Sequence, residues 1–431
     1  MNLLDNLTRS SSVYEVLARL VAGTLEGHAF LVHADSLPVA RHFARYVARG
    51  LACRGEGQRP CGECHVCLRP APPHLRHIVP MGVEIRIGQI HALLEECSLS
   101  LDPGARRVYL LDGAESMNDE SANAFLKVLE EPPPAVAFIL AAGSLQQVLP
   151  TIRSRCRLLP VDFPSTRRLL EGPLASSPAH PHWLYAALET WGRHPQLLQG
   201  TLTDGAPVAP GFPPSSTGDD ALQSLLGHHR KRPARELADP AEGLFADLAY
   251  TFDSTSFFLG VLARVLEGGT ALAALEESKR MTAWLEHLRE AVGKGLHAYE
   301  AELRKTAGPA YVHPLLEEDS YERSFLRSTG LVALDAYFRT ALLVASAALT
   351  RCGGADGRWL AALAREAAPV RIAAERGPDW AGMLAAGVES ARAQLRAAVT
   401  PRYVLEAFHL SLAGCVPSSR SSAWARTDRF A

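Results

Sequence analysis

Half of the eight cysteines in the chain, Cys53, Cys61, Cys64 and Cys67, fall inside CRGEGQRPCGECHVC (residues 53–67). Such a cluster can staple a fold, run thiol–disulfide chemistry or hold a metal. The first 20 residues lack the basic-then-apolar run of a signal peptide, so the expectation is a cytoplasmic protein, where structural disulfides are rare. Redox C-x-x-C pairs sit where a strand enters a helix, whereas these cysteines stand among Gly, Arg, Pro and Glu. The spacing C-x7-C-x2-C-x2-C suits tetrahedral zinc: tight C-x2-C turns aim backbone N–H groups at thiolates, and the first cysteine closes the shell. His65 lies between two ligands, but four thiolates leave no open position for substrate, so the zinc is expected to be structural. Cys97, Cys156, Cys352 and Cys415 are scattered and read as small buried side chains.

Nucleotide chemistry is the second possibility. A phosphate cradle needs glycines for close backbone approach, a lysine for the phosphate charge and a hydroxyl for magnesium. At the matching place this chain has VHADSLPVARHF (32–43), with no glycine and no lysine, and Asp35 would repel phosphate. In VYLLDGAESM (108–117), Asp112 ends an apolar run as a magnesium-organising carboxylate would. The next residue is Gly113, where a hydrolysing enzyme needs a glutamate, and Glu115 is expected to point elsewhere. The simpler alternative is that Asp112 caps a turn. Finally, TIRSRCRLLP (151–160) places Arg153, Arg155 and Arg157 at alternate positions. They are either a solvated edge or a guanidinium presented to a phosphate in a neighbouring subunit.

Residues 1–160 alternate strand and helix to position these groups. HAFLVHA, HIVP, RRVYLLDGAE and AVAFILAA read as strands; PVARHFARYVARGLAC and IGQIHALLEECSL read as helices. In NDESANAFLKVLEEPPP, Asn118 can cap a helix whose Ala122, Phe125, Leu126 and Leu129 share one face, and the prolines end it. Strand–helix–strand units of this length predict a parallel, three-layer α/β domain. From about 161 the pattern turns to short helices, and 203–220 is rich in Pro, Gly and Ser, as in a linker. Beyond it the chain reads as helical, with a stripe from Met281 through Trp284, Leu285, Leu288, Val292, Leu296, Tyr299 and Leu303. No repeat of fixed period is evident, and the tail after Cys415 is polar.

With 431 residues, 47% hydrophobic and 21% charged, the chain can build two to four cores. A net charge of −2 argues neither for a polyanion-coating protein nor for an acidic tail, so any contact with nucleic acid must come from local patches. HHRKRPAR (228–235) is a local basic run, but no aromatic residues interleave to stack bases. The apolar run TALLVASAALT, bounded by Arg339 and Arg351, is too short to span a bilayer.

The joint occurrence of the cysteine knuckle, LLDGAE, SANAFLKVLEEPPP and LPTIRSRCR resembles the bacterial DNA polymerase III clamp loader, over roughly residues 28–160. The resemblance implies an AAA+ (P-loop NTPase-like) domain over 1–160 with the knuckle at 53–67, a helical lid over 161–205 and a linker over 206–219. It further implies an all-helical oligomerisation collar over 220–415 and a polar tail over 416–431. It assigns zinc to Cys53, Cys61, Cys64 and Cys67. The Ser-Arg-Cys motif falls on Ser154, Arg155 and Cys156, with Arg155 acting on ATP held by the adjacent subunit. The missing cradle, Gly113, AAGSLQQ without a phosphate-sensing Thr or Asn, and GRHPQLLQ without a helix arginine point to the non-hydrolysing, delta prime-like branch. No ATP is then expected on this chain, Asp112 being a degenerate magnesium position. The implied partners are gamma/tau and delta subunits, and the sliding clamp and primer–template DNA through the complex, with no membrane. The rival readings are a hydrolysing gamma/tau-type subunit and a zinc-ribbon DNA-binding protein outside any loader.

Overall fold

A computed structural model of the chain describes residues 7–22, 24–68, 74–80, 84–99, 106–175, 181–193, 248–307, 316, 319–349 and 357–414. The expected linker at 206–219, the basic run at 228–235, Cys352, Cys415 and the tail lie outside the described residues. The chain divides into two compact units, Met1–Ser165 with Gly192–Gln199, and Thr166–Trp191 with Gly200–Ala431.

The first unit is built on five parallel strands: β1 (Ala29–His33), β2 (Leu75–Ile78), β3 (Arg107–Asp112), β4 (Val136–Ala142) and β5 (Arg157–Pro160). Their order is β2-β3-β4-β1-β5. Every residue of β3 and β4 is buried, as strands covered on both faces must be. The helices are α1 (Ser12–Val21), α2 (Leu37–Ala52), α3 (His65–Leu68), α4 (Ile87–Cys97), α5 (Asp119–Glu130) and α6 (Pro150–Arg153). On the α4/α5 side the core packs Phe125 edge-on to Phe138, with ring centroids 5.2 Å apart, and Tyr109 stacked on Phe138 at 5.5 Å. Asn118 caps α5, its side chain accepting from the Ser121 N–H at 2.9 Å. Strand β5 was not read from the sequence as a strand. It is an edge strand with Leu159 alone buried, so it lacks the apolar run that marks β3 and β4.

The second unit comprises α7 (Thr166–Glu171), α8 (Pro181–Thr190), α9 (Leu248–Gly268), α10 (Ala271–Ala307), α11 (Asp319–Leu349), α12 (Gly357–Glu366), α13 (Ala368–Arg376), α14 (Pro378–Arg396) and α15 (Pro401–Leu412). Met281, Trp284, Leu285, Leu288, Val292, Leu296 and Tyr299 of the α10 stripe are all buried. Inside this core the His409 ring bridges Ser278 Oγ at 2.8 Å and the Tyr337 hydroxyl at 2.7 Å, tying α15 to α10 and α11. One sequence expectation needs correction. The apolar run ending near Arg351 continues N-terminally into one long helix, and Glu322–Ala347 is long and apolar enough to cross a membrane. Of its most apolar 18-residue stretch, 67% is buried inside the protein, as in a core helix.

Candidate functional site

Three places in the first unit carry the residues singled out above. The first is the end of β3, next to the start of α2. Asp112 is 2% exposed, and two guanidinium groups and an imidazole surround its carboxylate. Arg41 Nε lies 3.2 Å from Oδ1, Arg45 Nη2 lies 3.7 Å from Oδ2, and His77 Nε2 lies 3.0 Å from Oδ2. Arg41 and Arg45 are one helical turn apart on α2, so both reach the same strand end, while His77 comes from the adjacent β2. Burial alone would push the Asp112 carboxyl up, but Arg41, then His77 and Arg45, hold it well below the usual carboxylate range. Asp112 is therefore not a turn cap; it is the anion of an internal clasp.

The neighbouring groups are also committed. Gly113 leaves the strand with φ +76, a left-handed conformation that a glutamate would adopt only with strain, and a 3-10 turn over Ala114–Ser116 follows. Glu115 does point elsewhere: its Oε1 accepts from the Gly143 N–H at 2.9 Å, and burial pushes its carboxyl up. Gly143 stands where β4 meets the start of α2, and a Cβ there would lie 3.0 Å from the Leu37 nitrogen. At the turn before α2, Asp35 pairs with Arg193, which also donates to the Pro164 carbonyl at 3.1 Å. The buried Ser36 hydroxyl donates to the Gly192 carbonyl. The hydroxyl and both charged side chains at this turn are thus used within the unit.

The second place is the cysteine knuckle. Helix α2 ends when Cys53 turns extended, and the four sulfurs of Cys53, Cys61, Cys64 and Cys67 gather within 4.8 Å of one another. The Cys53–Cys64 and Cys61–Cys67 sulfur separations are 3.8 and 3.9 Å. Zinc–sulfur bonds of about 2.3 Å in a regular tetrahedron put sulfurs about 3.8 Å apart. Backbone N–H groups of Gly55, Cys61 and Cys64 point at sulfur from 3.3 to 3.5 Å. Burial pushes the Cys67 thiol up to about 12, whereas Cys64 falls to about 5 because N–H and thiol donors outweigh its desolvation. All four can be thiolates together only around a cation, so this donor set can hold a metal ion.

The third place is the turn from α6 into β5. Val148, Ile152 and Cys156 are buried four residues apart and anchor the segment in the core; burial pushes the Cys156 thiol up to about 12. Between two of these anchors the chain exposes Ser154 and leaves the Arg155 side chain 32% exposed. Arg155 Nε donates to Glu130 Oε1 at 2.6 Å, Nη2 donates to the same oxygen, and Nη1 donates to the Thr151 carbonyl at 3.0 Å. Arg153 and Arg157 are exposed. The sequence reading found Asp112, the cysteines and Arg155, but missed Arg41, Arg45, His77 and Glu130. The available signal was the pair of arginines four apart in VARHFAR, on the helix that would otherwise follow a phosphate cradle.

The family described as DNA polymerase III, delta subunit, matches residues 10–165. The chain is similar to DNA polymerase III subunit delta' of Haemophilus influenzae, 30% identical over 197 residues, covering 45% of this chain and 60% of that protein. It is also similar to the delta' subunit of Bacillus subtilis, 32% identical over 158 residues, covering 36% and 48%. Subunit tau/gamma of Haemophilus influenzae is 33% identical over 132 residues, covering 30% and 19%. The chain thus spans 48 to 60% of the length of these two delta' relatives. A solved DNA polymerase III gamma subunit-related protein from Thermotoga maritima aligns over 75% of this chain and all of its own at 16% identity, with a TM-score of 0.38.

Proposed function

We propose that this chain is a delta prime-like, non-hydrolysing subunit of a DNA polymerase III clamp loader that lends Arg155 to a neighbouring ATPase; the family match over residues 10–165 and the similarity to delta' subunits support this. The Asp112 clasp is the observation that carries this reading. A hydrolysing subunit leaves that carboxylate free to organise magnesium at a bound triphosphate. Here Arg41 and Arg45 already pair with it and the His77 ring is hydrogen-bonded to it, and Gly113 supplies no group to direct water. Those contacts, with the loss of a glycine cradle, favour delta prime over the gamma/tau-type reading, which the tau/gamma similarity alone would support.

Arg155 acts outward. Its guanidinium stabilises the negative charge that develops on the γ-phosphate bound by a gamma/tau-type neighbour, with no bond made or broken on this chain. Cys53, Cys61, Cys64 and Cys67 hold one zinc ion, which fastens the segment after α2 and takes no part in hydrolysis. The helices α7 and α8 belong to the lid over 161–205, and those from α9 onward serve as the oligomerisation collar over 220–415. Gamma/tau and delta are the direct partners, and the sliding clamp and primer–template DNA are met through the cytoplasmic complex.

The test is DNA-stimulated ATP hydrolysis in a reconstituted loader, with the purified chain assayed alone. Arg155→Ala is expected to slow hydrolysis while the purified wild-type chain shows none. Unchanged turnover in the variant complex, or hydrolysis by the chain alone, contradicts the reading.

A further inference from the structure

Arg155 is not a loose surface side chain, and the group that holds it lies outside the Ser-Arg-Cys motif. Glu130 is the last residue of α5, stopped there by Pro132, Pro133 and Pro134. A helix C-terminus carries partial negative charge, which favours a guanidinium beside it. Glu130 Oε1 accepts from both Nε and Nη2 of Arg155, occupying one edge of the planar group. The Thr151 carbonyl takes Nη1, and Ser154 Oγ stands 3.5 Å from Nη1, at the outer limit of a hydrogen bond. The second Nη2 N–H has no acceptor among the described residues. Nη2 therefore keeps an N–H at the tip of the guanidinium for an anion, and such N–H groups bind phosphate oxygens.

We infer that Glu130 is a positioning residue for the arginine finger. By holding the Nε/Nη2 edge it fixes the guanidinium plane and turns the tip toward the neighbour's phosphate. The inference rests on the reading of Arg155 given above. A flexible arginine must lose its rotamer freedom during the reaction; one already held has lost it beforehand. Glu130 touches neither substrate nor reacting atoms, so its effect passes wholly through Arg155.

That dependence gives the experiment. Single-turnover ATP hydrolysis by the neighbouring subunit is measured in the reconstituted loader with wild type, Glu130→Ala, Glu130→Gln, Arg155→Ala and the Glu130→Ala/Arg155→Ala pair. Glu130→Ala is expected to lower the maximal single-turnover rate on the order of tenfold with the half-saturating ATP concentration unchanged. Glu130→Gln, which keeps an acceptor oxygen, recovers part of the loss. The double variant is no slower than Arg155→Ala alone. Wild-type turnover in Glu130→Ala, or additive losses in the pair, overturns the positioning role and leaves the finger standing. An Arg155→Ala complex that hydrolyses normally removes the finger, and the inference with it.

Discussion

At Asp112 the carboxylate is buried and arginines close over it; at Arg155 the arginine stands at the surface and a carboxylate steadies it from one side. Both assemblies use guanidinium and carboxylate, and burial separates their outcomes. Around Asp112, Arg41 and Arg45 are 18% and 15% exposed, so the charges pair with one another inside the protein. Around Arg155, Glu130 is 51% exposed and one Nη2 N–H remains without an acceptor among the described residues. Under the proposed function, the first site has turned inward where a nucleotide would sit, and the second keeps a cation for a neighbouring subunit.

The largest effect that could break this contrast is kinetic. Arg155→Ala is expected to lower the single-turnover rate at the adjacent ATP site on the order of 1,000-fold. Chain stability should change by only about 0–1 kcal/mol, the range for an exposed ion pair. Denaturant melts beside the kinetic traces check both halves.

Asp112→Ala should behave the opposite way. It strands the mostly buried Arg41 and Arg45, which costs about 3–5 kcal/mol in unfolding free energy. It should not create hydrolysis. Urea titration checks the stability loss, and a cost close to zero would mean that the clasp is not the buried, paired site described here.

These two outcomes bear on what could be read beforehand. Strands β3 and β4 were legible because continuous apolar runs mark strands covered on both faces. The Asn118 cap and the proline stop made α5 legible as well. Asp112 was found by its place at a strand end, but its partners could not be: Arg41 and Arg45 look like ordinary helix surface until α2 is laid against the sheet, and His77 reaches Asp112 only through parallel pairing of β2 with β3. Glu130 and Arg155 lie 25 residues apart and meet only when α6 returns to the end of α5. Short-range patterns reveal elements; these contacts belong to the tertiary fold.

Acid sharpens the contrast further. Asp112 titrates below its usual range in the folded chain, so its contribution is fully present above that range and is lost as pH falls through and below it. In the second unit burial lowers His409 from 6.5 to about 3, which leaves the folded state binding fewer protons than the unfolded one between those values. Its contribution is complete above about 6.5 and declines as pH falls toward 3. Melting temperature followed from pH 7 to 4 should therefore decrease, with a shallower slope in His409→Gln.

The smallest effect on either arginine site is expected from metal removal. Metal analysis should find about one equivalent of zinc per chain, and chelation should lower the melting temperature of the first unit. Neither treatment should free Asp112 for magnesium, because its three partners come from α2 and β2 rather than from the knuckle.

Titration calorimetry of magnesium-ATP into the purified chain tests most directly whether the Asp112 site is closed to nucleotide. The account expects no saturable binding. One bound nucleotide per chain, weakened by mutating Asp112, would contradict it.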